Sequence, residues 1–237
     1  MLPTDTRCFI SHEKGLLDPG VLGSVREHFL REEEVRQSQV LDENDALRVS
    51  MGASTSAFRF DPRWYDPWRN APAELVERLR PFTWLLFPVQ IRHIRAGDHL
   101  VPWHQDAGYV RLMSRKHARL ITCFVPLEPD PRQCASLEFA EGEYGELDHA
   151  AFGNHGAAIL DRDFAGLRRF ELSFGDALVF GDLAPHQTIP APDGTIDRRS
   201  FEYRFVIPAE ALPDKDYFDI EKGCFVRTDG SQREFPE

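Results

Sequence analysis

The sequence has no run of about 18 apolar residues, and no early apolar stretch of the kind a secretory signal carries. A bilayer-spanning helix is therefore not expected, and a reducing cytoplasm is the expected setting. Cysteine is scarce. Cys8, Cys123, Cys134 and Cys224 match neither a CxxC pair nor a zinc ribbon, so free thiols are expected. Concentrated positive charge is lacking too. Asp and Glu number 39 against 28 Lys and Arg, a net charge of −11. That balance speaks against a nucleic-acid or anionic membrane partner, because phosphates need clustered Lys and Arg. The basic spot at Arg111, Arg115 and Lys116 is large enough for a small anion only. No internal repeat and no low-complexity linker interrupts the chain.

What is present is enough for a folded core. The 237 residues are 42% hydrophobic and 28% charged, the balance of a globular chain. A chain of this length buries about 70% of its unfolded surface on folding. It fits a single domain, residues 1–237. Asp18-Pro19 reads as a helix start, with Asp as cap and Pro in the first turn. Val21, Val25 and Phe29 follow at helical spacing. A second helix is expected from about Asn70 and Pro72, with Leu75, Val76 and Leu79 on one face and a stop at Pro81. Between the two helices, Asp61 to Asn70 reads as an ordered loop rich in Trp, Pro and Asp.

From Val89 the texture changes. Short β-branched and aromatic runs recur between Gly, Pro and Asp: Val89–Ile94, Leu120–Pro126, Ser136–Ala140, Arg169–Leu172, Ala177–Phe180 and Ser200–Ile207. This is the pattern of an all-β sandwich or barrel. Residues 1–88 then form a helical support layer, 89–207 the β-core and 208–237 a C-terminal extension. Glu141–Arg168 breaks the pattern, and a connection of that length suits an active-site lid.

Pro102-Trp103-His104-Gln105-Asp106 carries the sharpest chemistry. In an extended strand, residues i and i+2 point the same way, so His104 and Asp106 would offer an imidazole and a carboxylate to one point. Alone, such a pair is more often a surface coincidence. A second element is Gly175-Asp176 leading into the apolar Ala177–Phe180, with His186 just beyond. Strand ends face the mouth of a β-barrel, where ligand sites sit. Two histidines and one carboxylate leave metal positions open, a set that favours Fe(II) and oxygen chemistry. The third element runs from Asp197 to Phe205, where Phe201, Tyr203 and Phe205 alternate with polar residues. If that aromatic side faces the barrel interior, Arg199 lies there too. A buried arginine needs a partner, and a bound carboxylate would supply one. The alternative is an edge strand with solvated charges. Asp176 reads as a turn former. Asp182, His93, His99, His149 and His155 lack a matching i+2 partner.

Together these elements resemble the phytanoyl-CoA dioxygenase-like family of iron(II)- and 2-oxoglutarate-dependent dioxygenases. The likeness spans about residues 90–207 and runs in order. It comprises Arg95-Ala96-Gly97-Asp98, Trp103-His104-Gln105-Asp106, Leu120–Leu127, Ala135-Ser136-Leu137-Glu138-Phe139, Gly175–Phe180, then His186 and Arg199. Near the lid this chain departs from the family pattern, with Cys134-Ala135 and Glu141-Gly142-Glu143.

The resemblance implies a mostly β double-stranded β-helix, of the jelly-roll or cupin-like kind, with helices packed outside. It implies Fe(II) held by His104, Asp106 and His186, and 2-oxoglutarate chelating the metal. The distal carboxylate of that co-substrate is expected on Arg199, with Arg198 and Arg204 as alternatives. Co-substrate and O2 would be converted with release of succinate and CO2, and a C–H bond of a small molecule would be hydroxylated. Gln90 and Arg92 share a strand face toward co-substrate or substrate. Thr122 shares parity with Leu120 and Phe124, and is either a contact or a buried hydroxyl. Trp103, Tyr109 and Arg111 are further substrate-side candidates. Asp106 argues against halogenation, which needs that ligand position vacated. A cupin-like metalloenzyme without 2-oxoglutarate and a non-catalytic binding protein are the competing readings.

Overall fold

The computed structural model describes residues 7–37, 62–69, 71–87, 89–94, 100–108, 118–152, 156–159, 162–192, 197–213 and 215–233. Strand β1 is Ile10–Glu13 and helix α1 is Pro19–Gln37. The side chain of Asp18 accepts a 2.8 Å bond from the Val21 N–H, so it caps α1 as expected. The Trp-rich stretch is not a plain loop. It folds into a 3-10 turn, Pro62–Tyr65, and a short helix α2, Asp66–Arg69, burying Trp64, Tyr65 and Trp68. Helix α3, Ala73–Leu79, buries Leu75 and Leu79.

The β-core follows as β2 (Trp84–Phe87), β3 (Gln90–Ile94), β4 (Leu120–Pro126), β5 (Ser136–Ala140), β6 (Ala150–Phe152), β7 (Gly156–Ala158), β8 (Leu167–Arg169), β9 (Ala177–Gly181), β10 (His186–Ile189) and β11 (Arg198–Val206). A hairpin of β12 (Asp216–Asp219) and β13 (Cys224–Arg227) completes it. The large sheet runs β1-β9-β4-β11-β2-β12-β13, and β3 also pairs with β11. One side of β11 is thus shared by β2 and β3, while β4 occupies the other. The small sheet is β10-β5-β8. The protein is mostly β, with open antiparallel sheets rather than a closed barrel.

Both faces of the large sheet are covered, which is why β4 is buried along all seven residues. One face of β4, β9 and β11 carries Ile121, Cys123, Val125, Val179, Phe201, Tyr203 and Phe205. It packs on Leu22, Phe29, Trp64, Trp68 and Leu79 of the helical layer. The opposite face presents Phe124, Leu178 and Phe180 to Leu137 and Phe139 of the small sheet. The aromatic side of β11 therefore meets the helices and not the interior between the sheets. Trp68 is the centre of the outer layer, fully buried with its ring 4.7 Å from Phe205 and 5.3 Å from Tyr203. Trp68→Ala is expected to cost about 3–5 kcal/mol of unfolding free energy. A urea midpoint unchanged from wild type would contradict this packing.

Two glycines place the neighbouring loops. Gly175 has φ +94° in the turn before β9. There Asp176 accepts the N–H groups of Gly15 at 2.8 Å and Ser173 at 2.9 Å. At Gly181 a Cβ would collide with the Arg7 carbonyl, so the segment before β1 crosses on bare backbone. Among the described residues no helix is long and apolar enough to cross a membrane. The four cysteines are free thiols.

Candidate metal centre

His104, Asp106 and His186 meet between the sheets, with one potential ligand atom from each within 4.8 Å of the others. All three are buried. The local reason differs from a simple strand. His104 forms an isolated antiparallel bridge with His186, each N–H donating to the other's carbonyl at 2.9 Å. Asp106 then opens a helical turn over residues 106–108. The strand end and the turn together bring its carboxylate back to the imidazoles.

Each imidazole is oriented by its own backbone. His104 Nδ1 donates to the Pro102 carbonyl at 2.8 Å, and His186 Nδ1 to the Ala184 carbonyl at 3.0 Å. That makes Nε2 of both rings the candidate ligand atom. The Asp106 carboxylate is held from both sides. Thr122 Oγ1 donates to Oδ2, and Arg204 Nη2 donates to Oδ1 at 3.2 Å.

The electrostatics suit a cation. Burial, and then His186, push the His104 imidazole well below its ordinary value. Burial also lowers His186. Burial alone would raise the Asp106 carboxyl, but Arg204, the two histidines and Thr122 outweigh it and hold it well below the usual carboxylate range. Two neutral imidazoles and one carboxylate thus face a common point, a donor set that fits a divalent metal with open positions.

The same shifts predict acid sensitivity of the metal-free protein. Below the ordinary imidazole value of about 6.5, the unfolded chain takes up protons that folded His104 and His186 do not. Stability is then expected to fall as pH drops from 7 toward 5, by up to about 1.4 kcal/mol per pH unit for each histidine. Asp106 adds loss in the same direction as pH falls below about 3.9 toward its depressed folded value. Urea midpoints between pH 7.5 and 5 measure this, and a flat profile would count against the buried neutral pair.

Next to the cluster lies a second charged network. Arg204 also donates to Glu202 at 2.9 Å, and Glu202 is ion-paired with Arg92. Arg92, Thr122, Leu137, Phe180, Thr188 and Glu202 line the cavity beside His104, Asp106 and His186.

Beyond them on β11 sits Arg198, 1% exposed, with its guanidinium 5.1 Å from the centre of the Phe124 ring. Its Nη1 reaches the Ala135 carbonyl at 3.3 Å, while Nε and Nη2 have no hydrogen-bond partner among the described residues. The hydroxyl of Ser200, fully buried on the same face, has none either. Burial pushes the Arg198 guanidinium down to about 10, against the opposing pull of Glu202. Among the described residues it has no ion pair.

Arg199 takes the other side of the strand. It donates to Glu128 at 3.0 Å and lies opposite His93 of β3. Arg199 shares the side of the aromatics as expected, but that side is not the interior between the sheets. Phe201, Tyr203 and Phe205 face the helices, and the even-numbered residues 198–204 face the small sheet. Arg204 stands beside the His-Asp-His cluster and is engaged by Asp106 and Glu202.

Thr122 is a buried hydroxyl that bonds Asp106 and not the backbone. Gln90 lies in β3 opposite Glu202. Trp103 is half-buried with its ring 4.7 Å from Phe164. Tyr109, Arg111 and the Arg95–Asp98 block lie outside the described residues. Sequence reasoning missed Glu202 and Ser200. Their signal was a shared parity with Arg198, readable only once the register of β11 against β4 and β3 is known. Asp182 stands apart from the cluster, buried and ion-paired with Arg7.

The fold and site define a double-stranded β-helix that carries a buried His-Asp-His cluster. At the level of sequence, no protein-family profile and no curated protein matches the chain. Solved structures share the fold. The nickel complex of the non-heme monooxygenase ThoJ aligns over 98% of this chain and 87% of its own, at 15% identity and TM-score 0.62. The alpha ketoglutarate dependent carbocyclase SnoK from nogalamycin biosynthesis aligns over 91% and 86%, at 10% identity and TM-score 0.56. The epimerase SnoN, in complex with Fe3+, alpha ketoglutarate and nogalamycin RO, aligns over 87% and 82%, at 17% identity and TM-score 0.53.

Proposed function

We propose that this protein is an iron(II)- and 2-oxoglutarate-dependent oxygenase that hydroxylates a small-molecule metabolite. The observation that carries the proposal is the pairing of two features on one interior face. A buried His-Asp-His cluster has neutral imidazoles and an anionic carboxylate. A buried arginine and serine lie farther along the same face of β11 with unused polar atoms. The donor set fits Fe(II), and an unpaired buried guanidinium calls for a carboxylate. SnoN, which shares the fold, was solved with Fe3+ and alpha ketoglutarate together. The ordered sequence blocks support a place within the phytanoyl-CoA dioxygenase-like group.

Bound iron with 2-oxoglutarate and O2 supplies the oxidising chemistry, with release of succinate and CO2. The chain's own residues do the rest. Nε2 of His104 and His186 and one oxygen of Asp106 hold the metal. Thr122 and Arg204 keep the Asp106 carboxylate in a fixed plane. Arg198 and Ser200 take the distal carboxylate of the co-substrate, the role expected of Arg199 from sequence. Phe124, Leu137 and Phe180 keep water from that side. Arg92, Trp103, Tyr109 and Arg111 remain the substrate-side candidates, and Gln90 a co-substrate candidate. The fold neighbours comprise a monooxygenase, an epimerase and a carbocyclase. Substrate placement, and not the metal cluster, therefore decides among outcomes.

The test is succinate formation from 2-oxoglutarate by purified protein with Fe(II), ascorbate and O2, measured with a metabolite panel. Stimulated succinate matched by a product heavier by one oxygen is the expected result. Bound iron with no 2-oxoglutarate turnover would instead favour a cupin-like metalloenzyme.

A further inference from the structure

Gln105 stands between two metal ligands, and every polar group of its side chain is engaged elsewhere. It is 0% exposed. Its Nε2 donates to the carbonyls of Gly145 at 3.0 Å and Leu183 at 2.7 Å. Its Oε1 accepts the Leu147 N–H at 2.8 Å. Its backbone N–H donates to Nε2 of His149 at 2.9 Å, and Nδ1 of that ring donates to the Leu147 carbonyl at 2.8 Å. The His149 ring lies against Gly108, where a Cβ would fall 2.8 Å from it. The same connection is tied on at its far end. Ile159 N–H donates to the Trp103 carbonyl at 2.7 Å, and Phe164 packs on Trp103 and on Tyr144. Leu183 belongs to the turn that leads into His186.

One buried amide therefore joins three pieces of chain: the loop bearing His104 and Asp106, the turn before His186, and the wall formed by residues 144–149. A lid that swings freely is not what these bonds describe. We propose that Gln105 is a positioning residue that couples metal occupancy to the placement of the 144–149 wall. The proposal rests on the metal-centre reading above. Removing the amide would leave the Gly145 carbonyl and the Leu147 N–H unsatisfied, and the Leu183 carbonyl with only the weak Cys8 thiol donor. By linkage, a metal that steadies the wall binds more weakly when the wall is loosened.

Co(II) serves as the probe, with affinity from its visible absorption and wall order from amide hydrogen exchange. In the wild type, Co(II) is expected to slow exchange in residues 144–149 several-fold. In Gln105→Met, which keeps the bulk, Co(II) affinity should fall about 10- to 100-fold. Saturating Co(II) should then no longer slow exchange there. His149→Phe, which keeps a ring over Gly108 but removes the acceptor, is expected to show the same loss of response and serves if the first variant does not fold. Wild-type protein that binds Co(II) with no change in wall exchange overturns the coupling. So does a Gln105→Met protein that keeps both affinity and response. Failure of the wild type to bind Co(II) overturns the metal centre itself, a separate and recognisable result.

Discussion

Replacing Arg198 with methionine is expected to weaken 2-oxoglutarate binding by at least about 100-fold, or about 3 kcal/mol. Arg199→Met should change it by less than about threefold. The contrast follows from the two sides of β11. Arg198 is buried with Nε and Nη2 unpartnered, and Ser200 adds an unpartnered hydroxyl. A carboxylate placed there gains charge-assisted bonds inside a dry site, and the arginine gains the counter-ion it lacks. Arg199 already has Glu128 at 3.0 Å. Its loss should lower stability, because the carboxylate of buried Glu128 loses a partner, and leave the co-substrate alone. Titration of metal-loaded, oxygen-free protein with 2-oxoglutarate separates the two. An Arg198→Met protein that binds as wild type, beside an Arg199→Met protein that does not, would restore the assignment made from sequence.

Removing one metal ligand should have an effect at least as large. For His104→Ala, His186→Ala or Asp106→Asn, divalent metal affinity is expected to fall about 100- to 1,000-fold or more, with succinate formation falling alongside. A closed protein site binds its metal with roughly 10–16 kcal/mol, so each ligand accounts for about 3 kcal/mol or more. Metal should raise the thermal midpoint of the wild type and not of the variants, since it binds only the folded state. Asp106→Asn is the most telling of the three. Its amide keeps the size of the side chain while removing the charge that Arg204 and the metal share. If that variant retained wild-type metal affinity, Asp106 would not be a ligand.

Much of this site was legible in the sequence, and the part that was not has a clear cause. Leu120–Pro126 and Ser136–Ala140 were read with the strand bounds that the structure shows, because each is a short apolar run flanked by turn formers. The segment Arg169–Leu172 was not, and the strand is instead Leu167–Arg169. That strand is fully exposed at the edge of the small sheet, so no burial pattern marks it. His104, Asp106 and His186 were singled out together because their residue types and order are specific, and the structure brings them together. The facing of β11 was read by a rule that usually works. Alternating aromatic and polar residues normally mean an apolar interior and a solvated exterior. In β11 the helices cover the aromatic face, and the polar face lines a site.

Glu141–Arg168 shows the same limit at a larger scale. Its length and composition spoke for a lid. Its attachment to Gln105, through Gly145, Leu147 and His149, comes from contacts about 40 residues apart in sequence, and local composition carries no trace of them.

The sequence by itself determined the chemistry on offer: two histidines, one carboxylate, and arginines on the strand that follows. Those are properties of residue type and order. The tertiary structure alone decided which arginine faces the small sheet and which residues hold His104, Asp106 and His186 in place. Side-chain direction on a strand depends on what covers each face, and in this protein packing from the helices and the small sheet sets that for β11.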